Sequence, residues 1–392
     1  MEAWPTVPIG ELFKLKQGTY LKPDDMGENQ SEEFPFPVYG ANGIIGYSNR
    51  KMYGERTTLV SCRGANCGVV HYTVPNVWIS NNSIACVPKG DIDPAFYYYV
   101  CENTDFGDVI TGSAQPQITI TNLSSKEFVR PPLPVQRRIA GILSAYDELI
   151  ENSQRRIKIL ESTARALYRE WFVHFRFPGH EKHPRVASPL GDIPQGWEVK
   201  PVADSFEISG GGTPSRKEAK YWDGGTIQWF SPSGLTGADT MFMDDSPERI
   251  TELGLAESSA RLFPAFSVML TSRATIGAIS INTHEACTNQ GFITCLPNER
   301  VPLYFLFHWL AENVPTFERM ASGATFKEIS RGVFKTIEFI YPAPALVRRF
   351  ESQVEPMGKQ MLALQRQIQN LRRTRDLLLP RLLSGQIEIG NN

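Results

Sequence analysis

"RRIAGILSAYDELIENSQRRIKILESTARALYREWF", residues 137–172, contains one glycine and no proline. Its apolar positions are Ile139, Leu143, Tyr146, Ile150, Ile157, Leu160, Ala164, Leu167 and Trp171, with Ser153 as the one polar break. The steps alternate between four and three residues, the rhythm that keeps one helical stripe facing a partner helix. Adding 211 to each number gives Phe350, Val354, Met357, Met361, Leu364, Ile368, Leu371, Arg375, Leu378 and Leu382, a second seam broken only by Arg375. The chain therefore carries two long helices of the same pattern. Each begins after a proline-bearing, strand-like end, "EFVRPPLP" or "EFIYPAPA", where the missing backbone donor costs nothing.

A stripe of about 39 residues spans about 58 Å and cannot stay exposed. Each helix is the natural partner of the other, and the pair is expected to run antiparallel with a globule at either end. The alternative, each helix folding back on its own globule, stays open. The pairing residues expected are Ile139, Leu143, Ile150, Ile157, Leu160 and Leu167 from the first copy, and Phe350, Val354, Met361, Ile368, Leu371 and Leu378 from the second.

The repeat extends beyond the helices. "WPTVPIGELFKLKQG" from Trp4 aligns without gaps on "WEVKPVADSFEISGG" from Trp197, "LVSCRGANCGVV" on "MLTSRATIGAIS", and "ITGSAQPQI" on "MASGATFKEI". These pairings place Arg63 beside Arg273, Gly68 beside Gly277, Gly112 beside Gly323 and Ile118 beside Ile329. The fold class is α/β (α+β): two mixed globules, related by an internal pseudo-two-fold repeat and separated by two long antiparallel coiled-coil helices. The expected boundaries are residues 1–133 and 197–343 for the globules and 134–176 and 344–383 for the helical regions. A solvated linker at 177–196 and a tail at 384–392 complete the chain.

The 392 residues suffice for two cores. "MEAWPTVPIGELF" does not read as an export signal and no apolar run reaches membrane-spanning length, so a cytoplasmic, membrane-free protein is expected. The six cysteines form no paired spacing and are read as reduced thiols; Cys62, Cys67, His71 and Cys86 make a poor zinc set. Overall charge is −2, but the two helical regions carry 16 Lys and Arg against 8 Asp and Glu, leaving the rest of the chain at −10. Bulk electrostatics alone therefore do not make this chain a nucleic-acid binder.

Several segments resemble a known family. "ISGGGTPSRKEAKYWDGGTIQWFSPSGL" (208–235) and "FPVYGANGIIGYSN" are similar to openings of target recognition domains in specificity subunits of type I restriction–modification enzymes. "PLPVQRRIAGILSAYDELI" and "LYREWFVHFRFPGHE" resemble the central conserved region of that family, and "RTRDLLLPRLLSGQIEI" its distal one. The resemblance covers essentially the whole chain. It implies a non-enzymatic adaptor whose two recognition domains each read one half of a split site in double-stranded DNA. The helices would set the gap and dock two methyltransferase (M) subunits holding S-adenosylmethionine, and restriction/motor (R) subunits using ATP would join for cleavage. No cofactor or metal is expected on this chain.

The residues agree with that role. No phosphate-binding GxxxxGK[ST] loop is present, and no NPPY- or DPPY-like methyltransferase segment. Gly210–Gly212 reads as a tight strand-end turn, with phosphate contact the sharper alternative. Base readout needs Arg, Lys, Asn or Gln on projecting loops. Asn42, Lys51, Arg63, Asn66, Gln115 and Gln117 in the first globule, and Arg216, Lys217, Arg273, Gln290 and Lys327 in the second, all sit beside turn residues. Arg63 and Arg273 match across the repeat, which argues for phosphate positioning or fold maintenance over sequence readout. Positions that differ between the repeats, such as Asn66 and Gln117, are the better specificity candidates. Tyr97–Tyr99 could suggest a base-stacking platform, but with the matching "PLYFLFHWLAEN" they read better as short helices packed on their sheets. Trp229 and Tyr221 read as core residues, with packing against sugar or thymine methyls the alternative. Two rivals remain: a coiled-coil scaffold without base readout, and an enzyme using Cys62 or Cys67 with His71 as base.

Overall fold

A computed structural model describes residues 4–237, 240–323 and 327–387. The chain divides into two compact units, Met1–Asn152 with Ile368–Asn392 and Ser153–Gln367, so the division crosses both long helices.

The central helix runs Leu133–Tyr168 and continues as a π-helical turn over Arg169–Val173; the distal helix runs Pro344–Leu383. The wider turn lets two adjacent aromatic residues, Trp171 and Phe172, both be buried. The distal helix ends at Gly385, whose positive φ of 73° suits the left-handed cap. Of the expected tail, residues 388–392 lie outside the described residues.

In the first unit a four-stranded antiparallel sheet has the order Phe13–Gln17, Ser83–Pro88, Thr58–Ser61, Val70–Tyr72. A second sheet has the order Met26–Gly27, Gly43–Ser48, Phe36–Gly40, Trp78–Ile79. Helix Pro94–Glu102 opens on Asp93, whose carboxylate accepts from Phe96 N. Its Phe96, Tyr97 and Tyr99 enter a core shared with Ile139 and Leu143 of the central helix and Leu379, Leu382 and Leu383 of the distal one. Since Asp147 pairs with Arg375, rising numbers on one helix meet falling numbers on the other. The two helices are antiparallel in this unit.

The second unit repeats the plan. Glu207–Gly210, Phe292–Leu296, Val268–Thr271 and Ile279–Asn282 form the same strand order, extended by Phe242–Met243. A three-stranded sheet, Glu248–Ile250, Ile227–Phe230, Ala286–Thr288, lies in the same unit. Register agrees in detail: Pro8 faces Glu127 and Pro201 faces Glu338, while Leu15 faces Cys86 and Ile208 faces Cys295. Ala164, Tyr168 and Trp171 of the central helix join Phe350, Val354 and Met361 of the distal helix in the core.

Ile139, Leu143, Ile150, Phe350, Val354, Met361 and Ile368 are buried. Ile157, Leu160, Leu167, Leu371 and Leu378 are half-buried. Ser153, the polar break in the first seam, is buried.

Three local expectations are corrected. Residues 177–196 are not simply solvated: Arg185–Ser188 pairs with Gly191–Pro194 as a hairpin, and Phe177, stacked on Trp197, is buried. Gly210–Gly212 is not a turn but a close approach. A Cβ on Gly211 would stand 2.1 Å from the Asn289 carbonyl oxygen, and one on Gly212 2.2 Å from Ser259 Oγ. The counterpart of the Tyr97–Tyr99 helix is not short but an 18-residue helix, Leu303–Met320. Its first N–H groups, at Tyr304 and Phe305, are satisfied by the Glu351 carboxylate at 3.0 and 3.1 Å.

Candidate nucleic-acid interface

Each unit carries the same small frame of crossed loops. In the first, Thr111 and Gln117 exchange both backbone hydrogen bonds, Thr111 N to Gln117 O at 2.9 Å and Gln117 N to Thr111 O at 2.8 Å. Gln117 also bridges Arg63, while Gly64 N donates to Pro116 O and Ile118 N to Cys62 O, both at 3.0 Å. In the second, Ser322 N donates to Glu328 O at 3.0 Å and Glu328 N to Ser322 O at 2.9 Å. Glu328 bridges Arg273, Ala274 N donates to Lys327 O, and Ile329 N donates to Ser272 O. The frames correspond bond for bond. At Gln117 and Glu328 both backbone groups are paired, so only the side chains of these two residues remain to meet a ligand.

The glycines show why the loops take this shape. Gly112 has φ 87°, and a Cβ there would stand 2.5 Å from the Gln115 carbonyl oxygen, so the 112–115 turn closes only without a side chain. Gly68 and Gly277, also in the left-handed region, let the loops lie against Phe106 and Val314.

In the first unit the frame gathers Arg63, Gln115 and Gln117, all exposed, with Asn66 half-buried in the adjoining turn. Asn42 lies on the hairpin turn between Phe36–Gly40 and Gly43–Ser48, which Ser61 ties to the frame by donating Oγ to the Ala41 carbonyl at 2.7 Å. Lys51 is not part of this cluster. It lies beyond the other end of strand Gly43–Ser48, its Nζ donating to Asn76 Oδ1 at 2.8 Å. In the second unit the frame gathers Arg273 and Lys327. Gln290 lies beside them, accepting from Thr213 Oγ1 at 2.7 Å through Oε1. Arg216 is engaged: it forms a two-pronged ion pair with Glu248 and lies 3.7 Å from the centre of the Trp222 ring. Lys217, next to it, is exposed.

The cations thus fall into two sets. Arg63, Lys217 and Lys327 make no side-chain ion pair among the described residues, whereas Arg216 is tied down and Arg273 faces Glu328 at 3.8 Å. A guanidinium or ammonium in either set can meet a phosphate, and the two-pronged pairing of Arg216 also holds its remaining donors in a fixed orientation.

Sequence reasoning passed over Glu328, Arg331 and the pair Ile44 and Ile45. Glu328 and Arg331 line a recess of about 430 Å³ with Ser272 and Gln290. Both were signalled by the repeat: 211 residues separate Gln117 from Glu328 and Ile120 from Arg331. Ile44 and Ile45 are about half exposed beside the Asn42 turn, an unusual place for two isoleucines unless the turn meets an apolar surface.

Trp229 is buried in the core as expected, but Tyr221 is not a core residue: it is half-buried and donates its hydroxyl to the exposed Glu257 at 2.6 Å. Burial raises the Cys62 and Cys67 thiols and pushes Cys86 up to about 12. A thiolate nucleophile requires the opposite. His71 turns Nε2 toward the Ala41 carbonyl, 3.3 Å away. No cluster of three or more His, Cys, Asp or Glu side chains suited to a metal occurs among the described residues. Nor, among them, is any helix long and apolar enough to cross a membrane.

Comparison with known proteins bears on the repeat directly. The sequence profile described as "Type I restriction modification DNA specificity domain" matches twice, over residues 1–162 and 194–345. The HindI specificity subunit of Haemophilus influenzae is 24% identical over 377 residues, covering 80% of this chain and 82% of that one. The MjaIX specificity subunit of Methanocaldococcus jannaschii is 34% identical over 176 residues, 44% of this chain and 40% of that relative. The crystal structure of a type I restriction–modification S subunit from M. genitalium superposes with a TM-score of 0.67 at 18% identity, covering 97% of this chain and 96% of that one. It shares the fold.

Proposed function

This chain belongs to the type I restriction–modification DNA specificity family, and from that premise we propose that it is a non-catalytic adaptor reading a bipartite site in double-stranded DNA. Each unit presents its loop frame to a major groove and reads one half-site. The observation that carries this reading is the frame itself, built twice with the same hydrogen bonds but with different side chains mounted on it. A shared scaffold holds the DNA backbone in the same way in both halves, and the differing side chains choose different bases.

Arg63 and Arg273, matched in the frames, position phosphates; Asn66, Gln117 and Gln290 are readers. The helices carry a net +8 and expose Ile159 and Leu377, each 57% accessible, off the paired seam. Such apolar spots on a positive surface support docking of two methyltransferase subunits and a role for the helices in setting the unread gap. S-adenosylmethionine and ATP belong to those partners and to the motor subunits, and the reactions are theirs.

The test is co-expression with the partner adenine methyltransferase, followed by sequencing that detects methylated bases. A split motif, two short half-sites around a fixed gap, is expected. A contiguous motif, or one unaffected by deleting this chain, would leave the helices as a protein scaffold only.

A further inference from the structure

We propose that Gln117 and Glu328 are the same reading position in the two units, Gln117 selecting adenine in one half-site and Glu328 selecting cytosine in the other. The inference rests on the reading above and adds the residue that makes the halves differ.

Equivalence comes from hydrogen bonding and not from alignment alone. Gln117 is the only residue of the first frame that bridges both Thr111 and Arg63, and Glu328 the only one of the second that bridges both Ser322 and Arg273, among the described residues. With both backbone groups paired to Thr111 or Ser322, the side chain is the free functional group. Gln117 is exposed and its amide has no protein partner among the described residues. The Glu328 side chain is 42% accessible and lines the recess that also holds Gln290 and Arg331.

The chemistry at this position differs in one respect. A carboxamide offers a donor and an acceptor together, the complement of adenine N7 and N6–H₂. A carboxylate only accepts, which suits cytosine N4–H₂ and is repelled by the acceptors of guanine and thymine. A surface that held DNA only through phosphates would gain nothing from a carboxylate there, because it repels the backbone. Arg273, 3.8 Å from that carboxylate, offsets the repulsion, and Arg63 has no matching carboxylate to answer. The frame thus keeps its arginine in both units while the group bridging it changes from amide to carboxylate.

Full-length chain carrying Glu328→Gln or Gln117→Glu, co-expressed with the methyltransferase, tests this by sequencing of methylated sites. E328Q should lower methylation at the original base pair about 10- to 100-fold and favour adenine there, in one half-site only. Q117E should do the converse in the other half. Both exchanges are nearly isosteric, and a thermal melt of each purified complex checks that it is folded. Variants that keep the wild-type motif at wild-type level overturn the proposal, as does a change in both half-sites from one substitution. Uniform loss of methylation in a folded complex overturns it too, since the residue then serves assembly. A wild-type complex without a split motif overturns the underlying reading, and this inference with it.

Discussion

Arg375 of the distal helix donates Nη1 to Asp147 Oδ1 of the central helix at 2.5 Å, while the other oxygen of Asp147 accepts the Tyr99 hydroxyl at 2.5 Å. The one residue that breaks the second apolar seam thus joins both helices to the first unit's aromatic helix. Both side chains of the ion pair are largely covered, at 20% and 29% accessible. Arg375 also donates to Asp376. A directional contact of this kind within an apolar stripe fixes register, because a slip of one heptad would strand all three side chains.

Arg375→Leu should therefore destabilise the first unit although it perfects the apolar seam. The expected cost is roughly 1–3 kcal/mol, from Asp147 left half-buried without its cation. A double-mutant cycle with Asp147→Ala, read by denaturant unfolding, should return a coupling of the same order. Additive effects would mean the pair is incidental.

His308 is buried against Tyr168 and Phe350, and burial, reinforced by Arg165, pushes its pKa from 6.5 down to about 4. The unfolded chain takes up a proton near pH 6.5 and the folded chain does not until about 4. This contribution is complete above 6.5 and is lost as pH falls. Glu351 acts in the opposite sense: burial raises it to about 7, so its contribution is lost as pH rises from its ordinary range through 7. Comparing wild type with His308→Phe isolates the histidine. Between pH 7 and 4.5 the wild type should lose roughly 2.5 kcal/mol more than the variant, and parallel stability curves would contradict the assignment.

Gly277 and Gly68 occupy matching places but have different room. A Cβ on Gly277 would stand 2.4 Å from Val314 Cγ1, whereas one on Gly68 would stand 3.3 Å from Phe106 Cβ. Both have φ in the left-handed region, at 96° and 91°, so alanine costs about 1 kcal/mol at either. Gly277→Ala should cost more, roughly 3 kcal/mol with overpacking included, and Val314→Ala should recover part of it. Equal melting shifts for the two alanines would contradict this packing.

The long helices and the duplication were legible because both are periodic: the seam at Ile139 to Trp171 reappears 211 residues later, and loops align around Arg63 and Arg273. Burial of Ile139, Leu143, Phe350 and Val354 followed from that pattern. Less legible was anything decided by contact between distant segments. Arg375 looked like a defect because its partner Asp147, and the Tyr99 hydroxyl that Asp147 also accepts, come from other elements. Arg216 looked like a free reader because nothing local announces Glu248 and Trp222. The three glycines at 210–212 read as a turn, since a need for space and a need for an unusual φ leave the same residue in the sequence. Phe177 and Ile193 anchor a stretch whose prolines, glycines and histidines suggested a solvated linker. Glu328 was visible 211 residues after Gln117, but a carboxylate is easily passed over when cations and amides are sought.

The central claim is that recognition is divided between the two repeats. Replacing residues 1–133 with the corresponding unit of another specificity subunit, in complex with the same methyltransferase, tests it most directly. Sequencing of methylated bases should show one half-site replaced, with the other half-site and the gap unchanged. Replacement of both half-sites, or of neither, would contradict the account.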